Sequence, residues 1–585
     1  STLFPYTTLF RSPEYLSPGV YVEEFESGSK PMEGVGTSTA GFIGLSVKGP
    51  DIGVPQLVTS FADFRRKYGG YLSQSEFEEY RFLAYSVEHF FINGGTRAFI
   101  MRVVPPDAKC AESVSEQEII KFTAKNPGRW GNFIRVIITP SSKAKTQILS
   151  VDELPQGKVY KIKNASGFQT GDIVAFSDGN EIQYNKISSV QDNLISFTKE
   201  FSGEVTDNNI LPSKTISTCE FNVEVKYEDT VELYENVSLN VRAANYVKNK
   251  MAKSDMLNIS CNISETEELD APFSMLAGKD KNILVIGLDG GADGTKEALS
   301  PSDFIGTDNG PGKRTGIQSF IDNDIVSIIA VPGVTDANVQ LSLTAHCESL
   351  GSRFAVLDLP MDSKKIDDVM AHRNIFDSSY AALYHPWIEI FDPLDKKNTA
   401  IPPSGSVMGI YARSDNSRGV HKAPANEIIR ACVGLDCMYN KGEQDILNPK
   451  GVNLIRSFPG QGIRVWGART LSSNSLWKYV NVRRLFIYLE ESIKANTNWV
   501  VFEPNDELLW VRVKRTIDVF LNTVWRSGAL AGGSPAEAFF VNVGRETMTQ
   551  DDIDNGRLIC VIGIAPVKPA EFVIFRITQK TSSDE

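Results

Sequence analysis

The spacing of hydrophobic and polar positions changes several times along the chain, and each change predicts a different element. Residues 19–25 (GVYVEEF) and 571–578 (EFVIFRIT) read as extended strands reached through Pro18 and Pro569, because proline and the residue before it favour extended backbone. A strand at a terminus exposes unpaired N–H and C=O groups, so it either folds onto its own domain or completes the sheet of a neighbour. After a Gly, Ser and Thr-rich stretch (28–39), the apolar run 40–46 predicts a buried strand ending before Gly49-Pro50. Tyr80, Leu83, Ala84, Val87 and Phe91 fall at helical spacing, Asn93-Gly94-Gly95 closes that helix, and a strand over 98–104 follows.

Between 143 and 212 the pattern shortens to alternating strands (159–162, 172–176, 183–187 and 194–197) separated by Gly, Asn and Asp turns, predicting a small β-barrel or sandwich. It interrupts a larger strand-rich piece, since 132–139 before it and 221–227 after it both read as strands able to pair. From 282 the periodicity becomes α/β. The apolar runs 283–286, 325–331 and 354–357 alternate with helical segments, as in a mostly parallel sheet. Further on, Val482, Leu485, Phe486, Leu489 and Ile493 make one apolar helical stripe, and Leu509, Val513, Ile517, Phe520 and Val524 make another. Strands over 538–543, 558–564 and the terminus complete an α+β unit.

With 585 residues, 42% of them hydrophobic, the composition is that of a globular protein with room for about four folding units. A formal net charge of −12 argues against a general footprint for nucleic acid or an anionic membrane. Charge is uneven, however. Residues 451–489 contain Arg456, Arg464, Arg469, Lys478, Arg483 and Arg484 and no Asp or Glu, which invites an acidic partner. The seven cysteines form no CxxC pair and read as reduced core thiols. No apolar stretch reaches the span of a bilayer and no secretory signal is evident, so a soluble, cytoplasmic product is expected. Residues 1–12 (STLFPYTTLFRS) repeat Thr-Leu-Phe and are left out of the fold reasoning as a non-native extension.

The chemistry sought is mostly missing. Gly287, Gly290, Gly291 and Gly294 follow an apolar run but miss the spacing of a dinucleotide loop, and a flexible connection is the simpler reading. Residues 306–314 (GTDNGPGKR) approach a phosphate loop but have one residue too many and Arg314 where a hydroxyl is needed. His89, His346, His372, His385 and His421 include no metal-ligand spacing. Asp552, Asp554 and Gly556 lack the glutamate of a calcium loop, and Asp552 fits a helix start after Thr549. Serines are abundant, but no GxSxG elbow supports a hydrolase. No catalytic residue, cofactor or metal site is assigned.

Residues 16–24 (LSPGVYVEE) resemble the N-terminal signature of contractile tail sheath proteins. Residues 90–95 (FFINGG), 126–132 (NPGRWGN), 402–405 (PPSG) through 418–420 (RGV), 480–484 (VNVRR) and the closing run 539–575 agree with that family in order. The resemblance covers nearly the whole chain from residue 14 and is weakest over 141–218, as in an outward insertion. It implies an α/β and α+β multidomain protein. An α/β, subtilisin-like but non-proteolytic middle domain would take 36–105 and 271–450, and a β-rich outer insertion 106–270, with 141–218 nested in it. An α+β inner domain would take 451–570, with strand-donating arms at 13–35 and 571–585.

The same resemblance implies a structural subunit, not an enzyme. Its partners would be itself, in a helical homo-oligomer of stacked hexameric rings, an inner tube protein, and baseplate and terminator proteins. No nucleic acid and no membrane insertion are implied, and assembly would take place in the bacterial cytoplasm. Strand exchange falls on Val20, Tyr21, Val22 and Phe25 at one end and on Phe572, Val573, Ile574, Phe575 and Ile577 at the other. There Val573, Phe575 and Ile577 offer one apolar face and Val20 and Val22 the matching one. Arg512, Lys514, Arg515 and Arg526 on the second helical stripe are the candidates for facing the tube, unless Asp506 or Asp518 pairs with them on a solvated helix face.

Overall fold

A computed structural model describes residues 32–576 except 115–118, 156, 178–181, 200, 202–213, 263–271 and 278–280. The proposed strand at 19–25 and Ile577 therefore lie outside the described residues. The chain divides into one compact unit of 35–491 with 566–585 and another of 1–34 with 492–565.

The larger unit is organised on a nine-stranded sheet. Its centre is parallel: Ala98–Val103, Ala40–Leu45, Ile328–Ala330, Phe354–Asp358, Ala381–His385 and Val452–Phe458 run side by side. Their Ala, Val, Ile and Phe side chains are buried on both faces, as parallel strands covered by helices require. Leu83–Asn93 and Ser404–Arg418 pack on one face and Ala337–Leu350 and Ile366–Arg373 on the other. The first pair of helices approaches unusually closely because of two glycines. A Cβ at Gly405 would lie 2.3 Å from the Ser86 carbonyl oxygen, and one at Gly409 2.5 Å from that of Phe90. Short antiparallel strands (Gln56–Val58 at one end, Gly462–Val465 and Glu427–Ile428 at the other) close the sheet. The sheet thus takes in residues past 450, where the middle domain was expected to stop. Val452, Leu454 and Ile455 belong to the apolar core of this unit.

The insertion is built as the alternation predicted. Arg135–Ser141 pairs antiparallel with Glu220–Tyr227, and the segment between them folds into a closed six-stranded barrel. Its core is filled by Ile148, Tyr160, Ile162, Val174, Phe176 and Ile195. Two features differ from expectation. Leu284–Gly287 is not in the parallel sheet but runs antiparallel beside Arg135–Ser141. Val285 stays exposed while Leu284 and Ile286 are buried, the one-sided burial of an antiparallel strand. The glycine stretch that follows is not a loose connection. It pairs back through Asp289 to Glu112 and Ala292 to Lys109, while Asn132 both donates to the Gly291 carbonyl at 2.9 Å and accepts its N–H at 2.8 Å.

The smaller unit contains the Glu507–Arg526 helix, whose predicted stripe of Leu509, Val513, Ile517, Phe520 and Val524 is buried. Asp506 starts that helix by accepting from the Leu509 N–H at 2.8 Å. The helix packs on a two-stranded antiparallel sheet of Phe539–Val543 and Cys560–Ile564. Between those strands a Thr549–Asp552 capping box opens the short Gln550–Asp554 helix.

Candidate assembly surfaces

The C-terminal segment of the larger unit is held at its root and exposed over residues 572–576. Asn481 donates to the Val567 carbonyl at 3.3 Å, and four residues further on the Glu571 carboxylate enters a clamp. Arg469 donates to it through both Nε and Nη2, each at 2.7 Å, Asn448 through Nδ2 at 2.8 Å and Tyr479 through its hydroxyl at 2.9 Å, with Lys478 Nζ at 3.5 Å. The buried side chain of Asn453 presents the arginine, accepting the Arg469 N–H at 2.7 Å and donating to its carbonyl at 2.7 Å. Burial alone would raise the Glu571 carboxyl, but the hydrogen bonds from Arg469, Asn448 and Tyr479 and the arginine's charge outweigh it and hold the group at about 2.

Immediately past the clamp, Phe572, Val573, Ile574 and Phe575 are 71, 69, 78 and 84% exposed. Residues 571–576 form no ladder with any other described segment. Four consecutive large apolar side chains in water are more than the single exposed apolar residues usual on a soluble surface.

The acid-free basic stretch accounts for this clamp and more. Arg469 and Lys478 meet Glu571, Arg484 pairs with Asp415 at 2.6 Å in a buried ion pair, and Arg483 lies 3.5 Å over the Trp477 ring. The acidic partner its composition calls for is in large part the same chain. Asn448 and Tyr479 were missed by sequence reasoning. The available signal was Glu571 itself, the lone acidic residue between Asp554 and Asp584.

In the smaller unit, Arg512, Lys514, Arg515 and Arg526 are all exposed. Arg512 sits 4.7 Å over the Trp499 ring and 3.9 Å from Glu503, while Asp506, weighed as its partner, is used as the helix cap. Beside the Cys560–Ile564 strand runs a groove of about 700 Å³ lined by Leu509, Val513, Ile517, Cys560 and Ile562. Two strands make a marginal sheet, and among the described residues Cys560–Ile564 pairs only with Phe539–Val543.

The buried titratable groups elsewhere belong to the core. Burial holds the His89, His346 and His385 imidazoles down near 4. Burial pushes the Asp358 carboxyl up to about 6, against the hydrogen bonds it accepts from the Ser404 hydroxyl and from the Ser404 and Gly333 N–H groups. Among the described residues no group of three or more His, Cys, Asp or Glu could hold a metal ion, and no helix is long and apolar enough to cross a membrane.

Comparison with known proteins places these surfaces in context. Residues 315–471 match the phage tail sheath protein central domain and residues 472–580 the phage tail sheath C-terminal domain. The tail sheath protein of Escherichia phage P2 is 25% identical over 330 residues, covering 53% of this chain and 81% of that protein. That of Salmonella phage ViI is 25% identical over 266 residues, covering 41% of each chain. In fold, the chain is similar to the sheath complex of an extracellular contractile injection system (PVC) in its contracted state, with a TM-score of 0.51 and 20% identity over 97% of this chain and 99% of that one.

Proposed function

This chain belongs to the contractile tail sheath family, and from that premise we propose that it polymerises by strand donation into a helical sheath around an inner tube. It is a structural subunit of a phage tail or a contractile injection particle. The observation that carries the donation reading is the clamped root at Glu571 followed by four apolar residues that stay exposed among the described residues.

Residues 571–577 of one copy and 19–25 of another extend the small sheet of Phe539–Val543 and Cys560–Ile564, which has no third strand among the described residues. Main-chain pairing supplies affinity and alternate side chains supply fit. Because each copy gives to one neighbour and receives from another without closing on itself, the contacts propagate as an open helix. In the assembled particle the rings are hexameric and stacked, baseplate and terminator proteins close the ends, and the α/β middle domain has a subtilisin-like topology used as a scaffold. Arg512, Lys514, Arg515 and Arg526 face the tube, where charge complementarity sets register more than raw affinity.

Contraction keeps these ladders as hinges while the bulkier outer parts rotate into closer packing, so that the extended form is metastable and new burial drives the change. Negative-stain microscopy tests the reading. The purified chain is expected to form long hollow cylinders, and the chain lacking 572–585 to remain as soluble particles of subunit size. Cylinders formed equally well by the shortened chain would overturn it.

A further inference from the structure

The chain enters the six-stranded barrel past Arg135–Ser141 and leaves it into Glu220–Tyr227, and three ionisable side chains meet at that junction. Lys143 Nζ lies 2.8 Å from Asp172 Oδ2 and 3.2 Å from Glu220 Oε1. The lysine side chain is 17% exposed, that of Asp172 2% and that of Glu220 1%. One cation and two carboxylates have been taken out of water at a single point. Desolvating such groups is expensive, and apolar residues of similar volume often hold a structure as well, so the triad calls for an account beyond cohesion.

The neighbours give each group a distinct place. Glu220 grips the lysine residue twice: Oε2 accepts the Lys143 N–H at 2.9 Å while Oε1 faces the ammonium. Asn240 Nδ2 donates to Asp172 Oδ1 at 2.8 Å and to the Thr170 carbonyl at 3.1 Å. Its own Oδ1 accepts the Arg242 N–H at 3.1 Å, which sets the end of the amide that faces the carboxylate. Gly171, at φ +92°, lets Asn240 come this close, since a Cβ there would lie 2.9 Å from Asn240 Oδ1. Asp172 Oδ2 also accepts the Gln169 N–H at 3.1 Å. One Asp172 oxygen is thus polarised by an amide donor and the other lies beside the amine, the arrangement of a carboxyl group poised for attack.

We propose that Lys143 and Asp172 condense into an isopeptide bond within the chain, with Glu220 as the catalytic base and acid. Glu220 takes a proton from the Lys143 ammonium, and the freed nitrogen lone pair attacks Asp172 Cγ. Charge gathers on Oδ1, where Asn240 holds it. The C–N bond forms, the Cγ–Oδ2 bond breaks with its electron pair on Oδ2, and Glu220 hands on the protons that the nitrogen gives up. Two hydrogens of the ammonium leave with Oδ2 as water, one stays on the amide, and Glu220 ends as the carboxylate it was. No oxidant, reductant or further reactant is required. Holding amine and carboxyl in contact supplies the driving force that a bimolecular condensation lacks, since effective molarities of oriented groups reach about 10⁵–10⁸ M. The bond ties the segment leading into Lys145–Leu154 to the residue before Ile173–Ser177, so the base of the barrel is closed covalently.

Mass spectrometry of the purified full chain tests this without any substitution. The intact chain is expected to weigh one water less than its sequence requires, and digestion to release a branched peptide joining Lys143 to Asp172. A chain of full mass that yields Lys143 and Asp172 in separate peptides would overturn the proposal. A branch joining Lys143 to Glu220 would overturn the roles given to the two carboxylates.

Two substitutions separate the chemistry from a merely structural ion pair. Lys143→Arg keeps the positive charge and cannot condense, so that chain should show its full mass; loss of water from it at residue 172 would overturn the part given to Lys143. Glu220→Gln keeps the shape and removes the proton carrier. Followed by mass from fresh synthesis, bond formation in that variant should be slower by about 10²–10⁴-fold, the usual worth of a positioned acid–base group. A rate equal to that of the parent would overturn the role of Glu220.

Discussion

Replacing Glu571 by Gln keeps the shape of the side chain and removes the charge that holds the root of the C-terminal arm. The parent carboxylate receives three hydrogen bonds at 2.7–2.8 Å from Arg469 and Asn448 and a fourth from Tyr479 at 2.9 Å. In the variant the Arg469 side chain, 7% exposed, loses its counter-charge. The fall of the carboxyl from 4.5 to about 2 would be worth about 3 kcal/mol at 1.36 kcal/mol per tenfold change. Solvent still reaches part of the group, so screening leaves about 1–2 kcal/mol.

The sign of the pH dependence follows from the depressed value. The clamp's contribution is complete above about 4.5, where a free glutamate is ionised, and is lost as pH falls toward about 2. Parent and Glu571→Gln should therefore differ in thermal stability at pH 7 and converge near pH 2. At neutral pH, hydrogen exchange should show amides of 566–576 opening faster in the variant. A gap between the two proteins that is the same at pH 7 and pH 2, or exchange over 566–576 that does not change, would refute the claim that this carboxylate charge anchors the arm.

Three further outcomes are expected. Removing residues 13–25 should leave a folded, soluble chain that does not polymerise, and sheaths visible by electron microscopy from that truncation would exclude donation by the N-terminal arm. Charge reversal at both Arg512 and Arg515 should weaken co-sedimentation with the tube protein at low salt and matter less at high salt, because exposed charges are screened; unchanged binding would remove both from the tube surface. The Asp358 carboxyl, raised by burial to about 6 from an ordinary 3.8, should cost stability as pH rises from about 4 to 6, up to about 2–3 kcal/mol in all; a denaturation series in which Asp358→Asn shows the same pH slope as the parent over that range would refute this.

The elements legible from the residues alone are those in which one period runs unbroken against one core. The helix carrying Leu83, Ala84 and Val87, the stripe from Leu509 to Val524 and the fully buried strand at Ala40–Leu45 all meet that condition. Residues 283–286 do not. Four apolar residues carry too little pattern to distinguish a strand buried on both faces from one buried on a single face, and Val285 lies on the open side of an antiparallel sheet.

The 451–489 stretch was misleading in another way. Its charge imbalance is real, but the compensating carboxylates of Asp415 and Glu571 lie outside that window, at 415 before it and 571 after it, so an internal clamp reads locally as a docking surface. The C-terminal run shows the converse. Phe572 to Phe575 are apolar enough for a core, and hydrophobicity alone does not specify whose core they complete. A frayed terminus and a donated one share that composition. What separates them is the root: ordering the residues up to 571 costs conformational entropy, which the Arg469, Asn448 and Tyr479 contacts offset at one defined point. Anchoring at residue 571 with 572–575 left in water is the observation on which the proposal of strand donation rests.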